Sequence, residues 1–180
     1  MTIPSLNINH LKSTEIRLNR FYLKTLTEDE VTNEYLSWFA NKQAKKFIEY
    51  ASNEHTIQEL KFYVKEKENS NNAWLLGIFT NDFSEHIGNI KYEPIDLTNR
   101  SAAMGILIGN QDWRGQGVGP EVILGSASWL KKKIGIATIT LAVNNENIQA
   151  ITAYKKCGFK SSPESSKFQC TTSLRMFKLL

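Results

Sequence analysis

Two stretches of this chain carry residues whose types and spacing can do chemistry. The first is Arg114-Gly115-Gln116-Gly117-Val118-Gly119, with Pro120 next. Three alternating glycines let successive backbone N–H groups turn toward one point, and a helix that starts there adds a partial positive charge. Such a loop holds a pyrophosphate without needing a side chain. It is not a Walker loop, because Gly119 is followed by Pro120-Glu121 rather than Lys-Ser/Thr. It is not a dinucleotide fingerprint either, since the third glycine position falls on Pro120 or Val122, depending on the starting glycine. The second stretch runs from Asn147 to Phe159. On a helix, Asn147, Ala150, Ile151 and Tyr154 share a face, with Asn147 and Tyr154 ~10 Å apart along the axis. An amide and a phenol so placed could bracket an elongated ligand, although by spacing alone such a tyrosine is more often found at the edge of a core.

The elements that must position these groups follow from periodicity. Glu15 to Lys24 alternates as a strand, and Thr27-Glu-Asp-Glu30 is a capping box before Val31, Tyr35, Leu36, Trp38 and Phe39 at helical spacing. Thr56-Ile-Gln-Glu59 repeats the device before a helix to about Asn69. Ala73 to Phe79, Ile87 to Ile95 and Ala102 to Ile108 read as successive strands separated by polar turns. After the glycine loop a helix runs to about Lys133, and Pro120 suits its first turn. Ala137 to Val143 is a β-branched strand, Asn147 to Cys157 a helix closed by Gly158, and Phe159 to Ser161 a strand. Ser162 to Ser166 is a polar loop, and Phe168 to Leu180 a final strand. The predicted fold class is mixed α/β: a central, mostly antiparallel, twisted sheet flanked by four helices. It forms one domain over residues 15–180, behind a polar extension at 1–14.

Composition narrows the function classes. In 180 residues, Lys+Arg 22 against Asp+Glu 18 gives a net charge of +4, and the pI is near 9.0. The surplus favours anionic ligands such as nucleotides, but no Lys/Arg tract marks a nucleic-acid surface. Cys157 and Cys170 make no disulfide scaffold or zinc pattern, and His10, His55 and His86 are scattered, so no metal is expected. The longest apolar runs are strand-sized and the N-terminus lacks a signal-peptide core, so a soluble cytoplasmic protein that binds no membrane is expected. Cys157 lies at a helix C-terminus, where the dipole disfavours a thiolate nucleophile, and Lys131-Lys132-Lys133 is ordinary C-terminal charge.

Taken together, Gly105-Ile-Leu-Ile-Gly109, Trp113-Arg114-Gly-Gln-Gly117-Val-Gly119, Asn147-x-x-Ala150-x-x-x-Tyr154 and Gly158-Phe159 resemble the GNAT superfamily of acyl-CoA N-acyltransferases. The resemblance spans about Ile16 to the C-terminus. It implies acetyl-CoA as the acyl donor, with no metal. Leu107, Ile108 and Gly109 would pair their backbone with the pantetheine arm, and Gly115, Gln116, Gly117, Val118, Gly119 and Pro120, with Arg114 in its fixed place, would hold the pyrophosphate. Asn147 would hydrogen-bond the cofactor and Tyr154 would sit near the thioester sulfur. The chemistry then needs a neutral amine, a donor for the tetrahedral oxyanion and an acid for the leaving thiolate. A strand N–H around Leu107 to Gly109 and the Tyr154 phenol suit the last two.

The base departs from the family patterns. Where relatives carry glutamate, this chain has Ala142 and Ala103, which leaves Glu93 or a water relay. Val31 to Phe39 resembles members that acetylate nucleotide-linked amino-deoxysugars for surface-sugar biosynthesis, and also the branch that acetylates ribosomal-protein N-termini. Trp38, Phe39, Phe47 and Tyr50 would border the acceptor. The expected function is direct acetyl transfer to a primary amine of such a sugar. A protein N-terminal acetyltransferase and a non-catalytic CoA-binding module are the alternatives, and a homodimer is compatible with each.

Overall fold

The computed structural model describes residues 8–40, 46–47, 55–162 and 172–180. Tyr50, Cys170, most of the loop expected at 162–166 and the expected start of the last strand at Phe168 lie outside them. The elements in order are β1 (Ile16–Arg17), β2 (Phe21–Thr25), α1 (Asn33–Ala40), α2 (Ile57–Asn69), β3 (Trp74–Thr80), β4 (His86–Asp96) and β5 (Ser101–Ile108). Then come α3 (Val118–Ile134), β6 (Thr138–Asn144), α4 (Ile148–Lys156), β7 (Lys160–Ser161) and β8 (Ser173–Leu179). Eight strands form one sheet in the order β1-β2-β3-β4-β5-β6-β8-β7, antiparallel throughout except for β5 against β6.

Local physics explains where the elements depart from the sequence pattern. The strand expected over residues 15–24 is broken, because the backbone folds back at 18–20 and Leu18 N–H donates to the Phe21 carbonyl at 2.8 Å. The Thr27 box is present, with Glu30 reaching back to the Thr27 N–H at 2.8 Å, but it closes a short 3-10 turn at Glu28–Glu30. Val31 is extended, and α1 starts later with the Thr32 hydroxyl accepting from Tyr35 N–H at 3.1 Å. The Thr56 box caps α2 as the sequence predicts. The polar extension is shorter than expected. A 3-10 turn over Ile8–Leu11 buries Ile8 and Leu11 in the main core, and the Lys12 ammonium binds the Lys67, Glu68 and Ser70 carbonyls at the end of α2.

β3 is buried along its whole length because helices cover both of its faces. Successive side chains point to opposite faces: Trp74, Leu76 and Ile78 enter the large core under α3 and α4, whereas Leu75 and Phe79 enter a smaller one with Tyr35, Trp38, Leu60 and Val64 of α1 and α2. β5 is the pivot. It pairs with β6 only from Ser101 to Ala103, against Thr138 to Thr140. Beyond that point β5 stays with β4 and β6 stays with β8, so the sheet splays. A register shift in β4 between Tyr92 and Ile95 adds local twist where the splay begins.

Candidate active site

The splay leaves one edge of β5 without a strand partner from Met104 to Ile108. A cavity of about 1050 Å³ opens there. Gly105 and Leu107 line it from one face of β5, and Ile106 and Ile108 from the other, so the cavity crosses the sheet through the splay. On one side it reaches α3 and α4; on the other it reaches α1 and α2.

The loop after β5 is held from several directions. Glu85 accepts from Asn110 Nδ2 at 2.7 Å, and the Asn110 side chain caps the turn at Gln111–Trp113. The Arg114 guanidinium folds back onto the Ile108 carbonyl at 3.0 Å, fixing the strand end. Gly115 and Gly117 take φ of 75° and 77°, the left-handed region in which a side chain is strained. Gly117 is the N-cap of α3 and offers no side-chain cap, so the helix start keeps first-turn amides for a ligand. Glu121 would repel an anion there. Arg20 removes it, donating from its backbone N–H and from Nε to the two Glu121 oxygens at 2.8 Å each.

Across the splay, Asn147 caps α4, its Oδ1 accepting from Ala150 N–H at 3.1 Å. Tyr154 lines the cavity seven residues on, with its ring 5.9 Å from Phe159. Burial pushes its phenol up to about 12. Cys157 is buried away from the cavity lining, and its burial pushes the thiol up as well, which fits the expectation of an inert cysteine.

Of the residues singled out in the sequence, Leu107, Ile108, Arg114, Gly115 and Gly117 line one cavity. Val118, Gly119, Pro120, Asn147 and Tyr154 line it too. Gly109 does not; it lies under the Trp38 ring, which a Cβ would overlap. Gln116 also stays out of the lining, its side chain donating to the Asp112 carbonyl. Glu93, the expected base, stands outside as well. Partial burial raises its carboxyl, but hydrogen bonds from Lys67 and Lys91, each at 2.8 Å, outweigh that and hold it below the usual carboxylate range. A carboxylate so stabilised is a weak proton acceptor.

A domain profile described as "Acetyltransferase (GNAT) domain" matches residues 20–160. The chain belongs to this GNAT acetyltransferase family. It is an N-acetyltransferase, and solved acetyltransferase structures share its fold. Among solved structures, a ribosomal-protein alpha-N-acetyltransferase in complex with coenzyme A superposes with a TM-score of 0.79 at 13% identity, covering 93% of this chain and 98% of that one. A spermidine N-acetyltransferase from Vibrio cholerae, in complex with CoA and spermine, gives 0.65 at 18% identity, covering 89% and 95%. A microcin self-immunity acetyltransferase in complex with acetyl-CoA and AMP gives 0.77 at 14% identity, covering 94% and 99%. No curated protein sequence matches the chain at a significant level.

The side of the cavity toward α1 and α2 is where sequence reasoning missed the most. Tyr35, His55, Tyr63, Asn89 and Lys91 line the cavity there, with Phe39 and Phe47. A signal existed. Asn89, Lys91 and Glu93 are polar at a spacing of two on a strand, which puts them on one face. Asn89 is buried, its Oδ1 at 2.9 Å from His86 Nε2, and His86 is in turn packed by Tyr35, Trp38 and Phe79. Among the described lining residues the basic ones are His55, Lys91, Arg114 and Lys156, and there is no aspartate or glutamate. Neither does any group of His, Cys, Asp and Glu among the described residues suit a metal, and no helix there is long and apolar enough to cross a membrane.

Proposed function

We propose that this acetyltransferase moves the acetyl group of acetyl-CoA directly to the primary amine of a nucleotide-linked amino-deoxysugar, as a soluble cytoplasmic enzyme. The observation that carries the acceptor class is the composition of the cavity. Aromatic and basic side chains line it, with no carboxylate among the described lining residues, which suits an anionic acceptor with a flat base. A polyamine would meet basic groups and no counter-charge. The nearby GNAT structure holding both acetyl-CoA and AMP supports the reading, since one fold accommodates an acyl donor and a nucleotide together.

The donor side follows from the loop. Acetyl-CoA supplies an activated thioester, and the amides at Gly115 to Gly119 with the α3 start would hold its pyrophosphate. The open edge of β5 at Ile106 and Ile108 offers backbone groups for the pantetheine arm and a donor for the oxyanion, whereas Leu107 and Gly109 turn theirs toward β4. Asn147 orients α4 through its cap and has its amide N–H₂ left to offer the cofactor. Tyr154 keeps its proton well above neutral pH and donates it, as a hydrogen bond, to the departing sulfur. No carboxylate base is assigned, because Glu93 is bound by two lysines. Ordered water carries the amine proton away, and a sugar amine beside ring oxygens is less basic than a lysine.

The test is a competition at equal concentration among a uridine diphosphate-linked amino-deoxysugar, a basic peptide with a free N-terminus, and spermidine. The sugar nucleotide is expected to show the highest kcat/KM. A higher value for the peptide or spermidine overturns the acceptor and leaves the acetyltransferase intact.

A further inference from the structure

A line of charges runs from the surface of α2 into the cavity. Exposed Glu66 pairs with Lys67, Lys67 with Glu93, and Glu93 with Lys91, at 2.9, 2.8 and 2.8 Å. Only the last member, Lys91, lines the cavity. Two ammonium groups share the one Glu93 carboxylate, so this inner part of the line retains a positive charge while Glu66 lies out in solvent. A plain structural pair would need only Lys67 to neutralise Glu93.

Lys91 is held in place. It pairs with Glu93 Oε2 at 2.8 Å, and its Nζ lies 5.7 Å from the centre of the Tyr63 ring. Desolvation works against its charge, but the Glu93 and Tyr63 bonds outweigh it and keep the ammonium protonated. An ammonium has three donors, so the pair with Glu93 leaves donors for a ligand.

We infer that Lys91, positioned by Glu93 and Tyr63, forms an anion subsite that takes a phosphate of the acceptor's nucleoside diphosphate. This rests on the acceptor reading given above. Register supports the placement. Lys91 faces Gly105 across β4 and β5, beside the stretch of β5 whose open edge is proposed for acetyl transfer, and both border the same cavity. A compact, strongly hydrated ammonium is a good point-charge ligand for phosphate. Tyr63 offers an aromatic face next to it. Glu93, expected as the base, thus becomes a positioning residue acting through Lys91.

The experiment uses the protein saturated with CoA, so that the donor's pyrophosphate loop is filled. Uridine diphosphate is titrated calorimetrically into the wild type, Lys91→Met, Lys91→Arg and Glu93→Gln. The wild type is expected to bind, and Lys91→Met to bind roughly 10- to 100-fold more weakly, the loss expected for one charged hydrogen bond. Lys91→Arg should retain most of the affinity, and Glu93→Gln should fall between. Thermal stability and CoA affinity report that each variant is folded. In turnover, Lys91→Met should raise KM for the uridine diphosphate-linked sugar far more than it lowers kcat. Its preference for that substrate over the methyl glycoside of the same amino-sugar should drop by the same factor. Equal diphosphate affinity in wild type and Lys91→Met overturns the subsite alone. Absence of diphosphate binding in the wild type, with the basic peptide as the better substrate, overturns the acceptor reading and the subsite together.

Discussion

On the proposed function, the two ends of the cavity would recognise their ligands by different physical means. The donor end is built from backbone: an open strand edge, two glycines at positive φ and a helix start without a side-chain cap. The acceptor end is built from side chains: Tyr35, Tyr63, Asn89 and Lys91, gathered from α1, α2 and β4. Backbone recognition tolerates sequence change and keeps one ligand across a family, because every residue has an N–H and only the glycines are demanded. Side-chain recognition can be retuned one residue at a time. Solved structures of the same fold hold CoA with spermine in one case and acetyl-CoA with AMP in another.

The largest effect should come from the one donor-end side chain that sits near the chemistry. Tyr154→Phe should keep acetyl-CoA affinity and lose roughly 10²–10⁴-fold in kcat, measured by thiol release under saturating substrates. A phenol donates only while protonated, and a pKa pushed up to about 12 means that raising the pH through the physiological range leaves that form intact. The wild-type profile should therefore show no alkaline limb that disappears in the variant. Unchanged turnover would remove Tyr154 from the mechanism and leave the donor end to its backbone groups alone.

A smaller effect tests the backbone claim itself. A ligand at 100 times its Kd adds ~2.7 kcal/mol to folding stability, and Gly117→Asp should remove that acetyl-CoA-dependent thermal shift. Gly117 has φ of 77°, so a side chain there is strained, and an aspartate adds negative charge to the loop beside Arg20. Gly117→Ala separates strain from charge and should lose less. A folded Gly117→Asp protein with wild-type affinity would mean that the loop is not the pyrophosphate site.

The smallest effect concerns the seam between the ends. Gly109 closes β5 beneath Trp38 of α1, and Gly109→Ala drives a methyl into the ring. Overpacking of this kind costs about 1–3 kcal/mol, seen as a lower Tm. Because α1 must shift to relieve it, KM for the acceptor should rise while acetyl-CoA affinity changes little. A variant that loses donor affinity instead would show that the two ends are not separable.

Much of this was legible before any coordinates. The α2 capping box at Thr56, the glycine loop, Pro120 in the first turn of α3 and the helix closed by Gly158 are local devices, each decided within a few residues. The Thr27 box was read correctly as a box and wrongly as the start of α1, because Val31 leaves the helical region immediately after it. Periodicity could not show that Ile8 and Leu11 reach the core, since four residues carry no period.

What the sequence by itself determined was the element order and the glycine loop at the start of α3, because backbone conformation and helix starts are set by neighbours along the chain. Tertiary structure alone decided which side chains meet. Arg20 disarms Glu121 from 101 residues away, and Lys67 on α2 takes the Glu93 carboxylate 26 residues ahead of it. Such pairings obey no local spacing rule: they exist because the sheet brings β2 against the start of α3, and α2 over β4. Glu93 looked like a base from its place on a strand, and only packing revealed the two ammonium groups that hold its charge. Charge interactions act through space rather than along the chain, so the same carboxylate is a base or an anchor according to what the fold sets beside it.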